Sequence, residues 1–261
     1  MARYQLKLAY DGTGFFGFQR QGNTRTVQQV LESALTLMGW CENTILFAGR
    51  TDTGVHASGQ IVVFDLDWKH SCEKLKTALN AKLPRDVAVS EVTQADADFH
   101  PRYDASSRTY RYTIYHNPER DPLIDRYAWR IWPPLNGEKL SEAASHLLGT
   151  HDFSCFGRAM KPGGSTVRTV LKSDWHATAN GWVYEIEANA FLYHMVRRSV
   201  YLQVQVAREK MSLDALILGI NEQSAMKPGL APARGLNLWQ VNLPSKKQVE
   251  MEQQLLNDDV A

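Results

Sequence analysis

Cysteine is scarce and scattered in this sequence: Cys41, Cys72 and Cys155 stand far apart, and none belongs to a Cys-x-x-Cys pair. An odd, widely spaced set excludes a disulfide framework and a cysteine-rich zinc module, and predicts buried or idle thiols in a reducing compartment. Long apolar runs are missing too. No stretch approaches the roughly 18 apolar residues that a membrane span needs, and Arg3, Lys7 and Asp11 interrupt the start, so neither a membrane segment nor a secretory leader is expected. An excess of one charge is also absent, because 29 basic residues face 28 acidic ones. That balance excludes a polycation held to nucleic acid by bulk charge. The expectation is a soluble cytoplasmic protein with no membrane partner.

What is present fits a folded globule. The 261 residues, 44% of them hydrophobic, allow one large domain or two of about 100 to 130 residues. The charge is unevenly laid out: the polar tail from Ser245 holds Glu250, Glu252, Asp258 and Asp259 against Lys246 and Lys247, leaving a body of net charge +3. Arginine outnumbers lysine, 17 to 12, and several arginines adjoin aromatics, as in Tyr110-Arg111-Tyr112 and Phe18-Gln19-Arg20. That pairing suits stacking plus phosphate contact, and equally a solvated surface.

Tyr4 to Tyr10 alternate like a half-buried strand, and a loop with Gly12, Gly14, Gly17 and Gly22 follows. Thr26 and Gln29 form a capping box ahead of Val27, Val30, Leu31, Ala34, Leu35 and Met38 at helical spacing, closed by Gly39. Strands near Thr44 to Ala48 and Gly59 to Asp65, a helix from about Ser71 to Leu83 and a strand from Val87 to Thr93 complete a β-α-β-β-α-β order, the split βαβ arrangement. The second half repeats it. Strands at Ser106 to His116 and Tyr127 to Ile131 precede a helix from Glu138 to Leu148. Strands at Val167 to Thr178 and Trp182 to Ala190 flank an Asn180-Gly181 hairpin signal. Helices from Phe191 to about Glu209 and Ser212 to Asn221, then a strand from Leu236 to Leu243, close the order. The predicted fold is α+β, with two similar halves in one mixed or antiparallel sheet: residues 1–104, 105–244, and a tail 245–261 that is either a short exposed helix or disordered. Helices on one side of a duplicated sheet place a ligand cleft between the halves.

The most informative stretch is Phe47-Ala48-Gly49-Arg50-Thr51-Asp52-Thr53-Gly54-Val55-His56-Ala57. A charged pair on a glycine-flanked turn is poor packing material and good active-site material. Arg50 can hold the Asp52 carboxylate ionised by direct charge pairing; the plainer reading is an Asx turn or a structural ion pair.

Gly-Arg-Thr-Asp-x-Gly-Val-His is too long for that plainer reading and resembles the signature of tRNA pseudouridine synthases of the TruA type. Further motifs extend the resemblance from Tyr10 to Leu236: Tyr10-Asp11-Gly12 with Phe16-Gly17-Phe18-Gln19-Arg20-Gln21, Phe99-His100-Pro101-Arg102, Arg108-Thr109-Tyr110-Arg111-Tyr112, Asn189-Ala190-Phe191-Leu192-Tyr193-His194-Met195-Val196-Arg197, and Ala231-Pro232-Ala233-Arg234-Gly235-Leu236. Phe18 replaces the usual Trp, and Arg198-Ser199-Val200-Tyr201 departs from the family's usual Asn-Ile-Val-Gly, which bears on substrate range more than on chemistry.

The resemblance implies isomerisation of uridine to pseudouridine at positions 38 to 40 of the tRNA anticodon stem-loop, by a homodimer without cofactor. It implies Asp52 as the essential nucleophile or base, Tyr110 as the surface that stacks on a flipped base and a candidate for a late proton transfer at carbon 5, Arg50 as a residue that prises the base out or fills its place, and Arg197 as the partner of the Asp52 carboxylate. A uridine inside a stem must be flipped out to be reached. His56 is read as a phosphate contact or as a loop histidine held by backbone. His146 and His151 lack partners at ligand spacing, so no metal is expected. Gly12-x-Gly14-x-x-Gly17 matches a dinucleotide fingerprint only formally, since no helix follows directly. Two other readings stay open: a non-catalytic RNA-binding module, whose RNP1 pattern is lacking, and a hydrolase that releases the base.

Overall fold

The structure is a computed structural model that describes residues 1–244; the expectations for the tail fall outside the described residues. In the first half, alternation from Ala2 buries Tyr4, Leu6, Leu8 and Tyr10 on one face of β1 (Ala2–Tyr10). Helix α1 (Val27–Thr36) begins where the Thr26 hydroxyl accepts the Gln29 N–H. Strands β2 (Leu46–Phe47) and β3 (His56–Leu66), helix α2 (Cys72–Asn80) and strand β4 (Val87–Gln94) follow. The second half contains β5 (Ser107–Tyr115), β6 (Trp129–Arg130), α3 (Gly137–Ser145), β7 (Gly149–Asp152), β8 (Val167–Thr178), β9 (Gly181–Ala188), α4 (Met195–Ala207), α5 (Leu213–Glu222) and β10 (Leu236–Asn242).

All ten strands join one sheet in the order β4-β1-β3-β10-β5-β9-β8-β7, with β2 on β3 and β6 on β5. Every pairing is antiparallel except β3 with β10 and β5 with β6. The α+β class is therefore as expected. Among the described residues no helix is long and apolar enough to cross a membrane.

The joint between the halves matters most for function. β10 meets β3 over only Asn237↔His56 and Leu238↔Ala57, whereas farther along the same edge β2 takes over at Phe47↔Val62 and Leu46↔Val63. The edge of β3 thus forks, and the segment between Phe47 and His56, which carries Asp52, leaves from the fork. A single core runs through both halves from Tyr4 to Val241. On β5 and β9, Tyr110↔Ile186 and Tyr112↔Tyr184 share a face. The Tyr184 hydroxyl bonds Ser173, which donates to Ala144 O of α3, and Trp175 donates to Gln203 of α4. Helices α3 and α4 therefore cover the face that Tyr110 shares.

Several boundaries differ from expectation. Helix α4 starts at Met195 rather than Phe191, because His194 adopts a left-handed conformation (φ 68°) that ends extended chain and begins the helix at once. The hairpin turn is Ala179-Asn180, one residue earlier than expected. Gly181 is the first residue of β9, where a side chain would run into Ile114 O of β5. Strand β7 was not foreseen, since Gly149–Asp152 is short and polar and becomes a strand only by pairing with β8. The thiols are not buried: Cys41 is exposed and the other two are half-buried, all free.

Candidate active site

The Asp52 turn is gripped from below by the glycine-rich loop. Gly12 packs so tightly on Val55 O that any side chain would collide, and Gly17, with φ +83°, lies against Thr51 O and Asp52. These are the glycines of the formal dinucleotide fingerprint, and their task is close approach to the turn. Phe18 N–H donates to Thr51 O at 3.1 Å, Gly54 N–H to Phe15 O at 3.3 Å, and the Tyr10 and Thr51 hydroxyls share a 2.8 Å bond. The buried Gln60 amide completes the frame: it donates to Gly49 O at 2.6 Å and accepts from Gly49 N–H at 3.2 Å. With its backbone polar groups bonded in this way, the turn holds its side chains in a set direction.

The Asp52 carboxylate meets the second half of the chain. Arg197, on the first turn of α4, donates from Nη1 to Asp52 Oδ2 at 3.0 Å and from Nε to Ala231 O at 2.9 Å. His194 Nε2 lies 3.3 Å from the same Oδ2. The charge pairing read from sequence for Arg50 is thus made by Arg197, 145 residues away. Arg50 is exposed, lines the cleft, and has no side-chain hydrogen bond or ion pair among the described residues.

Asp52 and Arg50 border a cleft of about 870 Å³ whose other wall comes from β5 and the segment leading into α4. Tyr110 is buried on that wall, and its ring meets Phe191 edge-on at 5.0 Å and 85°. Burial, reinforced by the Asp52 charge, pushes its phenol well above the usual tyrosine range. Arg108, also buried, donates to Ala105 O, Asn189 O, Ala48 O and Arg102 O, and so ties three rim segments together. Tyr193 stacks on His194 at 3.7 Å, and the Arg158 guanidinium sits 4.9 Å from the Tyr193 ring centre.

His56 is a backbone-held residue. Gly12 N–H donates to its Nδ1 at 3.0 Å, so Nε2 carries the proton and donates to Arg234 O at 3.1 Å, while burial lowers its pKa. Neighbouring Asp11 accepts from Thr13 N–H and hydroxyl through Oδ1 and from Arg126 and Tyr127 through Oδ2. Burial opposes its charge, but these donors outweigh burial and hold its carboxyl well below the usual range.

His194, Phe191 and Arg108 escaped sequence reasoning as site residues, although each lies in a quoted motif. Apolar periodicity absorbed Phe191 and His194 into a helix, and Arg108 alternates like any strand residue. Only the left-handed turn at His194 reveals that the segment faces the cleft. Among the described residues no three His, Cys, Asp or Glu side chains converge as a metal site would require.

The sequence is similar to those of known proteins over most of its length. A family model described as tRNA pseudouridine synthase matches residues 8–104 and 143–244. The proteins named tRNA pseudouridine synthase A from Bacillus subtilis and Thermoanaerobacter pseudethanolicus are each 38% identical over 242 residues, covering 92% of this chain and 98% and 99% of theirs. The protein of that name from Pseudothermotoga lettingae is 39% identical over 245 residues, covering 93% of this chain and 100% of its own. Identity at this level over nearly the full length of both partners, on top of a family match to residues 8–104 and 143–244, means that the chain belongs to the tRNA pseudouridine synthase family.

Proposed function

We propose that this chain isomerises uridine to pseudouridine in the anticodon stem-loop of tRNA, at positions 38 to 40, with Asp52 as the reacting carboxylate. As a member of its family it is an isomerase acting on tRNA. The observation that carries the assignment of Asp52 is its setting: a carboxylate clamped through one oxygen by Arg197, with the other unbonded among the described residues, beside a cleft of about 870 Å³. Asp52 acts as nucleophile or base on a nucleotide flipped from the stem, at a cost of a few kcal/mol. Tyr110 and Phe191 supply the aromatic wall against which the extruded base stacks. Arg50, uncommitted to any acceptor among the described residues, is assigned to the RNA, where it enters the space the base leaves.

The order β4-β1-β3 with β2 on the far side of β3, and β10-β5-β9-β8 in the second half, supports a duplicated split βαβ unit with halves 1–104 and 105–244. The protein acts in the cytoplasm, and because the net charge is only +1 the tRNA is held by local basic patches across a homodimer. The slope of binding against salt tests the phosphate contacts, a value near zero arguing against them.

The deciding experiment treats unmodified tRNA with purified protein and maps pseudouridine chemically, since the product has the mass of uridine. Product at positions 38 to 40 from the parent and none from Asp52→Asn is the expected result. Unchanged RNA would leave a binding module, and free uracil a hydrolase; full turnover by Asp52→Asn would remove Asp52 from the mechanism.

A further inference from the structure

Two nitrogens converge on one oxygen of Asp52. Arg197 Nη1 stands 3.0 Å and His194 Nε2 3.3 Å from Oδ2, while Oδ1 has no hydrogen bond among the described residues. His194 reaches this place through an unusual backbone: at φ 68° and ψ −1° it is left-handed, directly ahead of α4, and its side chain makes no cap hydrogen bond. A bulky non-glycine residue in that region is strained, and such strain is retained where the surrounding structure needs the side chain's direction. The ring plane is set by Tyr193, stacked at 3.7 Å and 26°.

We propose that His194 is a positioning residue which, together with Arg197, pins Oδ2 of Asp52 so that Oδ1 is the oxygen that reacts, and that protonation of His194 turns this support into an inhibitory charge pair. The proposal rests on the reading of Asp52 as the reacting carboxylate. The groups facing His194 are Asp52, Arg197, Arg158 and the Tyr193 ring. Burial lowers the proton affinity of the imidazole, Asp52 raises it, Arg197 and Arg158 lower it again, and the net result lies below the ordinary 6.5. At neutral pH the ring is uncharged and leaves Arg197 as the sole full cation on the carboxylate. Acidification places a second cation against Oδ2, which draws electron density from Oδ1 and weakens it as nucleophile or base.

The test is single-turnover conversion of unmodified tRNA between about pH 5 and pH 8 by the parent and by His194→Asn, a residue that tolerates left-handed backbone and keeps a neutral donor. The parent rate should fall on the acid side with a midpoint below 6.5. His194→Asn should lose that limb and run about 10-fold slower at pH 8 with tRNA affinity unchanged, and His194→Ala about 100-fold slower. Superimposable pH profiles, or a loss confined to tRNA affinity, would overturn the proposal. If His194→Asn melts early, His194→Gln gives the same readout. Asp52→Asn run alongside separates the two readings, since its activity would refute Asp52 as the reacting group whatever His194 does.

Discussion

Two aspartates in this protein sit in nearly the same company and are bonded in opposite ways. Asp11 and Asp52 each lie on a turn rich in glycine, each near a histidine and an arginine supplied from elsewhere. Asp11 has both oxygens committed, to Thr13 on one side and to Arg126 and Tyr127 on the other. Asp52 has one oxygen committed and, among the described residues, one without a hydrogen bond. The histidines differ likewise: the Nδ1 of His56 is taken by Gly12 N–H, so it faces Asp11 with a lone pair, whereas His194 presents Nε2 to Asp52 with no backbone partner among the described residues. A carboxylate whose lone pairs are all spent fastens structure; one held at a single oxygen is oriented and still available to react.

The largest expected effect breaks the comparison outright. Asp52→Asn should cut single-turnover conversion on the order of 10⁴-fold while moving the thermal midpoint by less than about 4 °C. Asp11→Asn should do the reverse, lowering stability by about 1 to 3 kcal/mol through donors left unmatched, with activity per folded molecule retained. Equal losses of activity in both variants would end the distinction. Next comes the aromatic wall: Tyr110→Ala should slow conversion by about 10- to 100-fold, the worth of one stacked base, and unchanged rates would remove Tyr110 from base capture.

The arginines sharpen the contrast at smaller scale. Arg197→Lys cannot bond Asp52 and Ala231 O together, so a loss of about 10-fold in rate is expected. Arg126→Lys, on an exposed pair, should leave the chemical-denaturation midpoint almost unmoved and turnover unchanged. The smallest effect is one of pH. Asp11 has its carboxyl held below the usual range, so it contributes stability above the unfolded value, near 3.9, that is lost as pH falls through the folded one. Acid titration of stability should flatten below about pH 4 in Asp11→Asn, and an unaltered acid limb would show that Asp11 is not its source.

Much of the architecture was legible in the sequence because local physics and final packing agreed. Thr26 caps α1 as its spacing foretold, β8 runs from Val167 to Thr178 beside the expected hairpin, and the glycine-flanked turn carries Asp52. Where expectation failed, a distant partner had decided. Gly149–Asp152 is a strand only because β8 lies beside it, and α4 begins late because His194 turns left-handed to face a carboxylate from the other half. Arg50 stands two residues from Asp52 in the chain yet is directed to the cleft, while Arg197 crosses from α4 to make the ion pair.

The amino-acid order specified which chemical groups exist, their family and the elements that carry them, because helix caps, strand alternation and glycine turns act over a few residues. The resemblance already named Arg197 as the partner, but only the folded sheet, forked at β3, chose that His194 joins it on Asp52 and which oxygen has no hydrogen bond among the described residues. Those choices depend on contacts between residues more than a hundred positions apart, and no local pattern encodes them.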